Sequence, residues 1–342
     1  MWVEIAALAL GALLLAAVLT GVIRKFALAR GMLDQPNERS SHTAPTPRGG
    51  GMAIVMACCL AVLILSALHG VPGNLALALL GGVVVAIIGF LDDRHRLSAG
   101  LRLAVHFAAA IWAVVWLAVG PAADAQEHLI QLSWVEYGVA ILGIVWALNL
   151  FNFMDGIDGI AASEAVFVAW AGAALTAVAG GAAGVPAASI VFGAACVGFL
   201  LWNWPPASIF MGDVGSGYIG YVIGVLALAT THHGRDTFWV WLILGGTFYV
   251  DATVTLIRRL LRGEPVHQAH RSHAYQWLAR RSSSHLRVTV AVWMVNLLWL
   301  LPCAFLATLY LSQAEWIAFG ALTPLVILAL ALGSGRPEIR IS

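Results

Sequence analysis

Charge is what this chain has least of: Asp, Glu, Lys and Arg make up 10% of its 342 residues, against about 25% in soluble domains. With 61% hydrophobic residues, it cannot face water on all sides, which excludes a soluble fold and makes lipid its main solvent. A basic excess is also missing. The net charge is +1, so no domain could neutralise a run of phosphates, and no nucleic acid is expected as a partner. Cysteine is sparse: Cys58, Cys59, Cys196 and Cys303 all lie inside apolar runs without zinc-finger or redox spacing, and read as small buried or lipid-facing residues. The first apolar run carries Glu4 near its start and Arg24-Lys25 behind it. That reverses the charge order of a cleavable signal peptide, so the run reads as a spanning helix whose N-terminus lies outside.

What is abundant is long apolar sequence. A spanning helix needs about 20 predominantly apolar residues. Such runs fall at 2–23, 50–69, 74–91, 103–120, 134–151, 157–179, 186–204, 216–231, 237–257, 287–311 and 314–333. The expectation is an all-α polytopic membrane protein with about eleven transmembrane helices, ten being the alternative count, in a single domain over residues 1–342. Lys and Arg concentrate on cytoplasmic segments of membrane proteins. Running 2–23 inward puts every one of the 18 Lys and Arg except Arg235 on the same side. The N-terminus is then periplasmic, the C-terminus cytoplasmic, and the unusual residues crowd the cytoplasmic face.

Three inward turns carry acids. Asp92-Asp93 closes the third run, where adjacent carboxylates repel and both want a cation; a solvated helix end is the plainer explanation. Asn149-Leu-Phe-Asn152-Phe-Met-Asp155-Gly156-Ile157-Asp158-Gly joins the fifth and sixth runs. On a helical turn its Asn pair and its Asp pair would each share a face, and a helix start favours phosphate; two helix caps are the plainer reading. Asn203-Trp-Pro-Pro-Ala-Ser-Ile-Phe210-Met-Gly-Asp213 follows at the next inward turn. Five acids on one face need a counter-charge. Hard oxygen donors near phosphate are the usual setting for Mg²⁺, with Mn²⁺ as a substitute. The turn 258–286 brings Arg258, Arg259, Arg262, Glu264, His267, His270, Arg271 and His273, where Arg can grip phosphate and His can donate to it; a zinc site is the competing reading of the histidines. Arg48 precedes Gly49-Gly50-Gly51, whose amides could cradle a phosphate or merely turn the chain into a helix. Asp251, inside the ninth run, is either functional or paired with a neighbouring helix.

Together the strings Asn-x-x-Asn-x-x-Asp-Gly-x-Asp-Gly and Phe-Met-Gly-Asp-x-Gly-Ser, in this order between Asp34 and His273, resemble the polyprenyl-phosphate N-acetylhexosamine-1-phosphate transferase superfamily (glycosyltransferase family 4, MraY/WecA-like). The resemblance is closest to its WecA/WbpL-type, O-antigen-initiating branch. His270-Arg271-Ser272-His273 departs from the consecutive histidines of MraY, which argues against a muramoyl-pentapeptide substrate.

The resemblance implies transfer of a sugar phosphate from a UDP-N-acetyl sugar to undecaprenyl phosphate in the bacterial inner membrane, at the start of O-antigen or lipopolysaccharide synthesis. It implies Asp213 as principal metal ligand, with Asp92 and Asp93 at the metal and attacking phosphate; Asp93 is the second expected ligand. Arg48, Asn149, Asn152, Asp155, Gly156, Ile157 and Asp158 would line the nucleotide pocket, with Asn203 and Phe210 on the uracil. His270, Arg271 and His273 would meet the diphosphate or sugar, His270 and His273 counting among the catalytic set. A homodimer is left open. A polytopic transporter is the rival from another class; its sites lie near mid-membrane, whereas these acids cluster at one face. A CDP-alcohol phosphotransferase would need an Arg soon after Gly159, where Ile-Ala-Ala-Ser-Glu stands.

Overall fold

The computed structural model describes residues 2–36, 44–95, 97–119, 133–181, 184–231, 237–265 and 270–337. His267 and Arg235, named above, lie outside the described residues. In hydrocarbon every backbone N–H and C=O must find its partner within the segment, and each of the eleven apolar runs answers by forming helix. They are α1 (Trp2–Ala29), α2 (Met52–Ala67), α3 (Gly73–His95), α4 (Ala99–Val119), α5 (Trp134–Met154), α6 (Ile160–Val178), α7 (Gly184–Asn203), α8 (Asp213–Thr230), the pair α9 (Thr237–Leu244) and α10 (Gly246–Leu261), the unit α12–α13 described below, and α14 (Ala314–Leu332). Among the described residues, nine helices are long and apolar enough to cross a membrane, and the α9–α10 pair makes a tenth if taken as one span. The chain is an all-α polytopic membrane protein.

Two runs depart from a straight span. The second becomes α2, of 16 residues, about 24 Å at 1.5 Å per residue against roughly 30 Å of hydrocarbon. Its N-terminal end is lost to pairing. Gly49 and Gly50 donate to Phe210 O at 3.1 and 2.9 Å, and Gly51 donates to Met211 O at 2.9 Å. The triple glycine therefore spends its amides on a neighbouring loop and leaves none for a phosphate. A Cβ at Gly51 would run into Gly215 Cα, so the run serves close approach of α2 to α8. The ninth run breaks at Gly245, where α9 and α10 meet at 77°, two adjacent glycines offering no side chain to hold the helix straight.

A helix also forms where a loop was expected: α11 (Ala274–Ser282) lies within segment 258–286. The tenth run is α12 (His285–Val295), a π-helical turn at Asn296–Leu300, and α13 (Leu301–Leu309).

Burial separates inner from outer helices. In the membrane windows α6, α7 and α8 are 78, 78 and 89% buried, whereas α1 is 28% and α14 22% buried, so the last two turn apolar side chains such as Leu14, Val18, Phe319 and Ile327 outward. The bundle is organised around α8, whose start carries Asp213. A two-residue antiparallel ladder, β1 (Leu33–Asp34) with β2 (Thr46–Pro47), runs into a parallel bridge between Arg48 and Phe210. That ladder brings Arg48 beside the start of α8.

Candidate active site

The end of α3 meets the start of α8 because residue 89 is glycine: a Cβ there would sit 2.5 Å from Asp213 O. One turn on, Asp93 reaches the first amides of α8. Asp213 N donates to Asp93 Oδ1 at 3.1 Å and Val214 N to Oδ2 at 3.5 Å, where the helix N-terminus favours negative charge. Arg48 Nη2 lies 2.6 Å from Asp93 Oδ1 and 2.8 Å from Asp213 Oδ1. Asp92, one residue earlier, is turned elsewhere. It takes Arg102 Nη1 at 2.5 Å and Leu97 N at 2.6 Å, and its carboxyl is within hydrogen-bonding reach of that of Asp213. Arg102 is also 3.7 Å from Asp213 Oδ2. Two arginines thus stand between three acids on α3 and α8.

The turn between α5 and α6 completes the group. Asn152 Nδ2 donates to Ser216 Oγ at 3.1 Å, and its side chain also bonds Asp213. Asp155, just past the end of α5, is held well above the ordinary carboxylate range. Burial is the main cause, then repulsion by Asp213; Arg48 opposes these, and Asp93 and Asp158 add to them. Arg48 keeps its charge against burial because Asp213, then Asp93, Asp34 and Asp155 surround it. Aspartates from three inward turns therefore converge at one end of the bundle.

Other expected residues are placed differently. Asp158 is a tie: its Oδ2 accepts from Ala207 N at 3.1 Å and lies 3.2 Å from His285 Nδ1, while Thr289 Oγ1 donates to its carbonyl at 3.0 Å. Asn203 was expected on the uracil, yet both ends of its amide are bonded within the protein. Oδ1 accepts from Gly159 N at 3.0 Å, Nδ2 donates to Ile209 O at 2.9 Å, and the residue is 4% exposed. It braces the two loops, with one N–H and one lone pair beyond these bonds. Asn149 donates to Val145 O on its own helix at 2.7 Å, with His106 Nδ1 at 3.5 Å, a turn deeper than the acids. Gly156 lies under the Tyr275 hydroxyl, and Ile157 is buried. Phe210 lines a cleft of about 710 Å³ with Asp158, Pro205, Arg280, Ser284 and His285.

His270 and His273 rings lie 4.8 Å apart. His273 is 1% exposed, its ring 6.5 Å from Phe153 and 5.7 Å from Tyr275, and neither ring nitrogen has a hydrogen-bond partner. Arg271 accepts Arg280 Nη2 on its carbonyl at 2.9 Å. The segment reaches the acid-bearing turn through Tyr275, whose hydroxyl donates to Phe153 O at 3.0 Å. Asp251 proves to be a structural partner: its carboxylate accepts Ala274 N at 2.8 Å and Tyr275 N at 3.1 Å, capping α11.

Sequence reading missed Arg102 and His285. A cation in the first turn of a span that begins beside two acids was the available signal for Arg102. Nothing in the local pattern marks His285, which becomes visible only when α12 starts against Asp158.

Could these residues hold a divalent cation? Among the described residues no three His, Cys, Asp or Glu close into a ready metal cage. The donor set nevertheless suits one. Asp92 and Asp213 bring hard oxygens face to face, an arrangement of like charges that a cation would relieve. Asp93 is bonded by α8 amides and Arg48 much as Asp92 is by Leu97 N and Arg102, and each carboxylate keeps further lone pairs, so both can serve beside Asp213.

An apolar bundle with carboxylates, guanidinium groups and a polar cleft gathered at one membrane edge defines an integral-membrane enzyme class acting on charged, phosphate-like groups. Residues 75–231 match the family model described as Glycosyl transferase family 4. The chain is 30% identical over 309 residues to a probable undecaprenyl-phosphate N-acetylglucosaminyl 1-phosphate transferase of Bacillus subtilis, covering 88% of this chain and 85% of that protein. It is 31% identical over 328 residues to the decaprenyl-phosphate N-acetylglucosaminephosphotransferase of Mycolicibacterium smegmatis (85% and 79%). A phospho-N-acetylmuramoyl-pentapeptide-transferase of Heliobacterium modesticaldum is 30% identical over 293 residues (78% and 87%). The chain belongs to glycosyl transferase family 4, the MraY/WecA superfamily.

Proposed function

We propose that this chain transfers an N-acetylhexosamine 1-phosphate from a UDP-sugar to undecaprenyl phosphate, releasing UMP, at the cytoplasmic face of the bacterial inner membrane. The observation that carries this reading is the convergence of Asp92, Asp93, Asp155 and Asp213 with Arg48 and Arg102 at one end of the bundle. The chemistry explains the place. A polyprenyl phosphate cannot leave the membrane and a nucleotide sugar cannot enter it, so their phosphates meet at the boundary. Phosphoryl transfer needs positioning and charge neutralisation more than covalent help.

In this reading Arg48 and Arg102 hold phosphate oxygens, and Asp92 takes the proton from the carrier phosphate as it attacks the β-phosphorus. Asp213 and Asp93 would hold Mg²⁺, Asp93 also fixing the start of α8. The ion, when bound, supplies positive charge to the departing UMP. Phe210 offers its ring to the uracil in the cleft shared with Asp158 and His285. His270 and Arg271 approach the sugar diphosphate. A second cavity, of about 140 Å³ and lined by Met154, Phe248, Leu278, Val288, Leu325 and, at its polar side, Asp251, offers the prenyl chain an apolar lane. Initiation of O-antigen is the polymer we assign.

Asp213→Asn should insert and fold as the parent does, yet release no UMP from a UDP-N-acetylhexosamine and undecaprenyl phosphate in detergent. Undiminished release would remove Asp213 from the metal site. EDTA should silence the parent enzyme and added Mg²⁺ restore it; activity that survives chelation would count against the ion.

A further inference from the structure

We infer that the turn Gly333-Ser334-Gly335, beyond the last span, is part of the active-site scaffold, with Ser334 as the positioning residue for the His270–His273 segment. The inference rests on the reading above, in which that segment touches the nucleotide sugar.

A polar turn after a terminal helix ordinarily hydrates in water. This one is built in. Ser334 is 0% exposed, and its Oγ donates to Asp251 Oδ1 at 2.8 Å. Its carbonyl accepts Arg258 Nη1 at 2.6 Å, and Gly335 N donates to Ser272 O at 2.6 Å. Asp251 is the hub. It also takes Thr255 Oγ1 at 3.2 Å and the two leading amides of α11 at 2.8 and 3.1 Å. One carboxylate on α10 therefore binds the closing turn to the helix start that bears His273.

The second connection is more direct. Ser272 is gripped through its carbonyl by Gly335, while its hydroxyl lies 3.0 Å from His270 Nδ1. From Ser334 to His270 the path runs through two residues, Gly335 and Ser272, and one short side chain. On the far side of the segment, Phe153 and the Tyr275 hydroxyl press it against the turn that carries Asp155. Without the closing turn, the segment loses the hold on Ser272, and Asp251 loses one of its donors.

The test uses the full-length enzyme in detergent with UDP-N-acetylglucosamine and undecaprenyl phosphate, following UMP release. Ser334→Ala should lower kcat/KM for the UDP-sugar by on the order of tenfold, the scale of one hydrogen bond to a charged group, alongside a melting temperature lowered by a few degrees through the unpaired Asp251 oxygen. Ser334→Thr, which keeps the hydroxyl, should restore the rate. A chain ending at Pro337 should work as the parent does, and one ending at Leu332 should not. In a His270→Ala background, Ser334→Ala should cost nothing more, because coupled residues do not add. Parental kinetics for Ser334→Ala, or an effect that multiplies with that of His270→Ala, would overturn the assignment. Parental activity in both His270→Ala and Arg271→Ala would overturn the underlying reading of the segment, whatever Ser334→Ala does.

Discussion

Asp92 and Asp93 are neighbours in sequence, yet a helix advances about 100° per residue and turns them to different work. Asp93 holds the start of α8, while Asp92 faces Arg102 and Asp213. With Asp155 and Asp213 they place four carboxylates beside two arginines, leaving an excess of negative charge when no cation is bound. Replacing an acid that repels its neighbours should therefore stabilise the metal-free protein. Asp155→Asn should raise the melting temperature in EDTA, by about 1 kcal/mol of stability, while abolishing transfer; a lowered melting temperature would mean that the acids are not in conflict. Arg48→Ala should act in the opposite sense. More than a third of its side chain is exposed, so solvent screening limits that loss to about 1 kcal/mol.

Helices made mostly of apolar residues announce themselves: each apolar run forms helix, although among the described residues nine, or ten with the bent pair, are long enough to span and the second run gives only the 16 residues of α2. The interruptions were less legible. The bend at Gly245 follows from its glycine pair, but its angle, and the π-turn at Asn296–Leu300, depend on packing between helices far apart in sequence, which local pattern does not encode. One buried group touches both. Glu164 on α6, 0% exposed, accepts Asn296 Nδ2 at 2.6 Å and Thr247 Oγ1 at 3.0 Å, so a single carboxyl joins the π-turn to the residue just past the bend. The motif acids were readable for a different reason: their chemistry is local, and only their convergence needed the fold. The short helix α11 escaped because the Asp251 that caps it lies in another span. Glu164→Ala should cost about 2–3 kcal/mol by leaving buried polar atoms unpaired, read as a lower melting temperature in detergent. Glu164→Gln, of the same shape, should cost clearly less; equal losses would show that the contact is packing alone.

For the molecule as a whole, the charge asymmetry read from sequence and the convergence of the acids make a joint demand on topology. The ends of α3 and α5 and the starts of α2, α6 and α8 share one face because their side chains touch. The distribution of Lys and Arg predicts that this face is the cytoplasmic one. Single cysteines at Ala44 and Ser283, in a background where the four native cysteines are replaced, should react with an impermeant thiol reagent only in inverted membrane vesicles. Reaction in right-side-out cells would reverse the orientation.

The turn at Ser334 bears on the order in which the enzyme comes into being. Ribosomes deliver domains from the N-terminus onward, and the histidine segment leaves the ribosome before α12, α13 and α14 have been inserted. Its hydrogen-bond partners on the closing turn arrive only after those helices. The carboxylates of α3, α5 and α8 and the two arginines beside them are therefore made before the histidine segment can gain its hold on the turn after α14, and the segment settles later than the acids it serves.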